Sequence, residues 1–201
     1  VPEGAVYFQE DSSQPIVIGK LSLTADAAIR GGYRDRRQPM RFKDVTTQHC
    51  DVLIIGGGGA GLRAAIAARK AGADTLLVAK ARVGYANNTY ISKATIAASG
   101  LGPVLDGPAV HEADTLASGR FLNDMDLVRV MTRSITEEIR LLQSFGVGFA
   151  GQGDGLKVIH TPGHSHARHV FADNRIGSEL TLPLRGHAAK IGVRFAEGVF
   201  I

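Results

Sequence analysis

The first strong hydrophobic pattern begins at residue 51, where DVLII (51–55) is a short run of β-branched and leucine side chains. A run that is apolar at successive positions, instead of alternating, predicts a parallel strand buried on both faces. Glycines fill 56–59, and LRAAIAARKAG (62–72) then repeats small apolar residues on a helical period. Ala64, Ala65, Ala67 and Ala68 would let that helix lie close on a sheet, and Gly72 is placed to stop it. DTLLVA (74–79) is the next apolar run. Together these segments predict a strand, a crossover helix and a second, parallel strand.

Two more helices are predicted over PAVHEADTLASG (108–119) and NDMDLVRVMTRSITEEIRLLQSFG (123–146). In the second, Leu127, Val130, Met131, Ile135, Ile139 and Leu142 recur at three- and four-residue steps, an apolar stripe expected to face the core. Asn123 or Asp124 can cap it and Gly146 can end it. SELTLPLRGHAAKIG (178–192) predicts a helix disturbed at Pro183, leading into a strand over VRFAEGVFI (193–201). That strand is expected to pair with members that come later in a longer chain. It would leave Val193, Phe195, Val199 and Phe200 as uncovered apolar surface.

Residues 1–48 lack such periodicity and read as a leader or arm. PIVIGKLSL (15–23) could supply a strand, whereas GGYRDRRQPMRFKD (31–44) is basic and Pro-containing, with Arg34, Arg36, Arg37 and Arg41 on a solvated face. Residues 49–201 form the organised unit. The expected architecture is α/β: a βαβ start, a parallel sheet and a helical insertion.

Composition narrows the function classes. Apolar residues are 44% and charged residues 21% of the 201, a globular balance. No apolar run reaches the ~18–20 residues of a membrane span. The acidic VPEGAVYFQEDSSQ lacks a basic region followed by an apolar stretch, which argues against a secretory signal. The lone cysteine, Cys50, can form neither an internal disulfide nor a zinc site, so a reducing, cytoplasmic setting is expected. The formal charge of +4 suits an anionic cofactor and is not a nucleic-acid footprint.

Glycine is the outlier at 25 residues, concentrated in GGGGAG (56–61). Gly56, Gly58 and Gly61 give G-x-G-x-x-G directly after a strand and at the mouth of a helix. In that context the first glycine permits the tight turn, the second lets backbone approach a pyrophosphate, and the third allows close helix–strand packing. The helix start, with Gly59 and Ala60, turns its free N–H groups toward the phosphates. The ribose-binding acid usual some 20 residues on is missing; Ala79 and Lys80 stand there, followed by Arg82. This argues against plain NAD. NADP, with Lys80 and Arg82 on a 2′-phosphate, and FAD both stay open on spacing alone.

The segment HCDVLIIGGGGAGLRAAIAARKAGADTLLVAK (49–80) resembles the N-terminal FAD segment of the succinate dehydrogenase/fumarate reductase flavoproteins, a family that includes L-aspartate oxidase. In that family the second strand commonly ends in Ser/Thr-Lys, which Lys80 fits. ANNTYISKATIAASG (86–100), HEADTLASG (111–119) and TPGHSHARHVFADNRIG (161–177) agree with it. The resemblance covers roughly 49–201 and implies a Rossmann-like FAD-binding domain, with Asn87, Asn88 and Thr89 joining the glycines and Lys80 at the cofactor. Asn88 stands where the succinate dehydrogenase branch has the histidine that bonds covalently to flavin. An amide cannot make that link, so the FAD implied is non-covalent. The family's two glycines in A-Q/E-G-G are replaced within Ser92-Lys93-Ala94-Thr95, and its D-x-T-G becomes Asn174-Arg175-Ile176-Gly177.

His160, His164, His166 and His169 invite a metal reading, but no cysteine accompanies them and no carboxylate is near before Asp173, so no metal site is expected. The resemblance accounts for Gly163–Arg168 as the family's G-H-S-x-x-R stretch near the substrate side. It implies a flavoprotein oxidoreductase acting on a small dicarboxylate. The arginine and histidine residues that carry such chemistry lie C-terminal to anything present here, so no catalytic residue is expected in these 201 residues. L-aspartate oxidase is one alternative. A non-catalytic nucleotide-binding subunit, docking through its basic arm, is another. An electron-transfer or completing subunit is the expected partner, with a location in the cytoplasm or peripheral to a membrane's inner face.

Overall fold

The computed structural model describes residues 48–201 apart from 94, 154, 175 and 176; the strand expected over 15–23 and the basic arm of 31–44 lie outside the described residues. The chain opens with β1 (Val52–Ile55), α1 (Gly59–Lys70) and β2 (Thr75–Ala79). An insertion follows: α2 (Asn88–Ile91), β3 (Thr95–Ala97), α3 (Pro108–Ser118), α4 (Met125–Ser144), the small β4 (Gly151–Gln152) and β5 (Gly155–Leu156), and β6 (His169–Phe171). α5 (Ser178–Lys190) and β7 (Arg194–Glu197) return the chain to the first sheet.

That sheet has the order β1-β2-β7, parallel throughout, with Leu53 opposite Leu76 and Leu77 opposite Phe195. β2 lies in the middle because it is buried at all five positions. Leu77 and Ala79 point into a core made by Leu62, Ala65 and Ile66 of α1 and Leu184 and Ala188 of α5. Leu76 and Val78 meet Cys50 and Val199 on the other face. A strand covered on both sides explains why its sequence does not alternate.

α1 follows its expected course, with one refinement. Leu62, Ala65 and Ile66 are buried, but Ala64 and Ala67 face outward, so Ala65 alone of the four alanines is fully enclosed. The close approach to the sheet is set by Gly61. A Cβ there would lie 1.9 Å from the Gly56 carbonyl oxygen. Gly72 and Gly146 end α1 and α4 in the left-handed region, φ +94° and +98°.

The insertion has its own core, where β3 pairs antiparallel with β6 and Ala98, Ile139, Val147, Phe149, Val170 and Leu180 pack together. Asp124 caps α4, accepting from the N–H groups of Asp126 and Leu127. The expected stripe on α4 holds only in its second half. Leu127 and Val130 are 69% and 66% exposed, whereas Val128 and Thr132 are buried in line with Ile139. α4 packs on α3 and, through Ile135, Ile139 and Leu142, on the insertion core, and the buried line 128–132–135–139–142 starts one position off the apolar one. α5 runs continuously through Pro183. The last strand is shorter than expected: β7 pairs with β2 on one side and lies at the edge of the three-stranded sheet, and Val199 N–H extends that ladder to the Ala79 carbonyl at 3.0 Å. Val193 and Val199 are accordingly buried and Phe195 is partly buried; of the four, only Phe200 is largely exposed, at 85%.

Gly61→Ala is expected to destabilise the protein by about 3 kcal/mol or more, since backbone must move to admit the methyl group. Chemical denaturation compared with Gly72→Ala, where nothing lies within 4 Å and only the φ is strained, checks this.

Candidate functional site

The carboxyl ends of β1 and β2 open into a cleft of about 440 Å³, where a parallel α/β sheet places its ligands. Gly56, Gly57 and Gly58 line it after β1, Lys80, Ala81 and Arg82 just beyond the end of β2, and Tyr85 to Asn88 further along that loop. Gly58 is the N-cap of α1, makes no side-chain cap bond, and is followed by no acid in the first turn. A Cβ on Gly58 would come no nearer to protein than 3.5 Å, at Asn87 Oδ1, so its missing side chain leaves room on the cleft side. The wall thus offers the positive end of a helix dipole with no carboxylate against it. Lys80 and Arg82 add two cations, with Arg82 lying 4.5 Å from the centre of the Tyr85 ring.

Of the expected cofactor residues, Gly56, Gly58, Lys80, Asn87 and Asn88 line this cleft, and Gly59, Ala60, Gly61 and Thr89 are not among its lining. Thr89 Oγ1 accepts from the Gly59 N–H at 3.2 Å, satisfying one donor of the helix start internally. Asn87 Nδ2 donates to the carbonyls of Gly57 (3.3 Å) and Tyr85 (3.1 Å), while its Oδ1 accepts from Tyr90 N–H (2.9 Å). Asn87 therefore ties the glycine turn to the loop beyond β2. Asn88 has no such tie among these bonds and is exposed at the cleft. The residue that sequence reasoning missed is Gly177, where a Cβ would lie 1.7 Å from the Thr89 carbonyl oxygen. It lets α5 close on α2 and fix the far wall. The retained glycine of the altered D-x-T-G stretch was the available signal.

A family model described as FAD binding domain matches residues 51–201. The chain belongs to that family. It is 34% identical over 186 residues to the flavoprotein subunit of 8-methylmenaquinol:fumarate reductase from Wolinella succinogenes, covering 90% of this chain and 29% of that one. It is 32% identical over 151 residues to the L-aspartate oxidase of Pyrococcus abyssi, covering 74% and 30%. Among solved structures, Mycobacterium smegmatis Sdh1 in complex with UQ1 superposes with a TM-score of 0.67 at 27% identity, over 74% of this chain and 27% of that one. The E. coli quinol fumarate reductase FrdA gives 0.64 at 26% identity, over 72% and 25%. The chain thus spans about three-tenths of the length of the curated relatives it matches. This is the FAD-binding domain of a fumarate reductase/succinate dehydrogenase-like flavoprotein, with L-aspartate oxidases among its relatives.

The histidine-rich stretch of this FAD domain does not converge on one point. His160 Nε2 donates to the His164 carbonyl, His166 Nδ1 meets Ser165 Oγ, and His169 meets the Thr161 hydroxyl. Among the described residues no group of three or more His, Cys, Asp or Glu side chains could hold a metal. The organising group is Arg168, fully buried. Its guanidinium forks onto Asp106 through Nε and Nη2, both at 3.0 Å, and Nη1 reaches Asp114 at 2.9 Å. Asp114 also accepts from the backbone and hydroxyl of Ser165, each at 2.8 Å. One guanidinium facing two carboxylates clamps α3, the loop before it and the stretch before β6 together.

Beside the clamp, burial first and the Arg168 charge second push His111 down to about 4; His164 adds to the depression and Asp106 and Asp114 oppose it. The folded state keeps that imidazole neutral, whereas the unfolded chain protonates it below the ordinary 6.5. Between the two values the unfolded state binds the extra proton, so stability falls as pH drops through this window, by up to about 3 kcal/mol. Urea unfolding at about pH 7 and about pH 4.5 measures the loss. A His111→Phe variant, unable to take up that proton, is expected to show the shallower pH dependence.

Proposed function

We propose that residues 49–201 hold FAD non-covalently for an oxidoreductase of the fumarate reductase/succinate dehydrogenase kind, acting on a small dicarboxylate. The observation that carries this reading is the acid-free start of α1, beside a cleft containing Lys80 where a ribose-binding acid would otherwise stand. The residues fit the cofactor. Gly58 leaves room for a pyrophosphate at the backbone, Lys80 and Arg82 balance its charge, and Asn87 and Thr89 keep the turn in shape. Bound FAD would supply the hydride and electron chemistry; this chain's residues bind and orient it. Asn88, exposed at the cleft, supports the non-covalent reading because its amide has no nucleophilic ring nitrogen.

The substrate clamp and proton donor belong, in this reading, to the part of the relatives that the chain does not span. A completing or electron-transfer subunit is the expected partner. Among the described residues no helix is long and apolar enough to cross a membrane. We place the enzyme in the cytoplasm or peripherally on a membrane's inner face, through its partners. The 32% identity to the Pyrococcus abyssi enzyme supports a second reading, L-aspartate oxidase. Assays of the completed enzyme with fumarate and a chemical reductant, and separately with L-aspartate, distinguish the two.

Acid precipitation of the flavin-loaded protein is expected to leave the yellow colour in the supernatant; colour that stays with the precipitate overturns the non-covalent assignment. Gly58→Val should fold, since even its Cβ has ordinary clearance. It should lose FAD affinity by at least about a hundredfold, because the side chain denies the phosphates several charge-assisted hydrogen bonds. Wild-type affinity in a folded Gly58→Val protein would put the dinucleotide elsewhere.

A further inference from the structure

The ladder between β2 and β7 ends with Ala79 opposite Glu197. Beyond that pair the two segments part, and both go on to line the cleft, residues 80–82 and 85–88 from one and 199–201 from the other. Gly198 begins its side of the departure at φ +75°, in the left-handed region. Glu197 itself is not among the lining residues. Its side chain reaches across the fork instead. One oxygen, Oε1, accepts from the Val83 N–H at 2.9 Å and from Arg185 Nη1 at 2.8 Å.

Arg185 closes the arrangement. The same Nη1 donates to the Val83 carbonyl at 3.3 Å, so one ion pair holds both backbone polar groups of a single loop residue. The next residue, Gly84, lies against the Arg185 stem at φ +80°; a Cβ there would come within 3.3 Å of the Arg185 Cβ. The Gly84 N–H reaches the Gly57 carbonyl at 2.8 Å. The loop carrying Lys80, Arg82 and Asn87 is thus pinned at its middle, to β7 and α5 through Val83 and to the glycine turn through Gly84.

Burial makes the carboxylate the critical pin. Val83 is 0% exposed, so its N–H has no water to turn to when Oε1 is removed. An orphaned buried N–H is costly enough to shift the backbone that carries it. Val83 follows Arg82 directly and stands three residues after Lys80, so a shift there moves both cations of the cleft. Charge alone acts in the opposite direction. A carboxylate near a pyrophosphate site repels the ligand, so removing a Glu197 that had no positioning role would tighten binding.

Taking the cleft as the FAD site of the reading above, on which this inference rests, we propose that Glu197 is a positioning residue for the dinucleotide. From the last strand, and without lining the cleft, it sets FAD affinity by holding Val83 and with it the loop that presents Lys80 and Arg82.

The test titrates FAD into the ligand-free full chain, wild type and three variants, following flavin fluorescence. Glu197→Ala is expected to bind FAD about tenfold more weakly. Glu197→Gln keeps an oxygen at the same reach and is expected to stay within about threefold of wild type. Glu197→Asp keeps the charge but is one methylene shorter; it is expected to fall with Glu197→Ala, and it carries the test where the alanine variant does not fold. Amide exchange in the ligand-free proteins should quicken at Val83 in the alanine and aspartate variants, with Leu77 in β2 unchanged. Tighter FAD binding by Glu197→Ala, the result that charge alone gives, overturns the proposal. So does wild-type affinity in a folded alanine variant, or in the aspartate variant where it stands in. A glutamine variant as weak as alanine, or exchange that quickens equally at Leu77, overturns it too. Wild-type protein that binds no FAD overturns the cleft reading itself, and this proposal with it.

Discussion

The fold turns on one contact that leaves no room for a side chain: the α-carbon of Gly61 against the carbonyl oxygen of Gly56. It brings the first turn of α1 onto the end of β1, and Leu62, Ala65 and Ile66 then reach the central strand. Because the helix is held that close, its unpaired N–H groups emerge at the rim of the sheet and not above its face. The cleft is thus a by-product of packing. The same tolerance that lets the hydrophobic core close also aims the helix dipole.

Two kinds of support keep that geometry in place. One is local and polar: Asn87 and Thr89 bond to backbone atoms of the glycine turn, so the loop after β2 and the turn after β1 behave as one piece. The other is a charge network. Glu197 of β7 accepts from Val83 N–H at 2.9 Å and from Arg185 at 2.8 Å, joining the loop beyond β2 to the last strand and to α5. Each donor and acceptor here is partly shielded, which makes the network a matter of position more than of energy.

The βαβ start was legible in the sequence because its signals are local: unbroken apolar runs for buried strands, and glycines at the spacing a phosphate turn requires. The family resemblance took the reading from dinucleotide to FAD, which spacing could not do. What stayed hidden depended on partners distant in the chain. Val128 and Thr132 are buried on a helix that packs against α3, and nothing in residues 123–146 announces that. Val193 and Val199 are covered because β7 finds β2 within this chain. At the site, the sequence grouped Thr89 and Gly59 with Gly58 and Asn88, but the fold turns the first two inward upon each other. Gly177 could be valued only once its neighbour was known, since a glycine's importance lies in what approaches it.

That last glycine makes the cleft a long-range construction. One wall comes from the first strand–turn–helix; the other is held by α2 resting on the start of α5, after the whole insertion has run its course and returned. β3 pairs with β6, so the insertion leaves and re-enters at neighbouring points, as a closed excursion of the chain. The turn alone can form early and locally, but a finished cleft forms only when that excursion has closed and its loop entropy has been offset. A ligand that prefers the finished cleft acts as a fastener across the excursion. By mass action its occupancy favours the docked insertion over any state in which α5 has come away. Retention of a ligand in the cleft and the docking of the insertion are thereby one equilibrium.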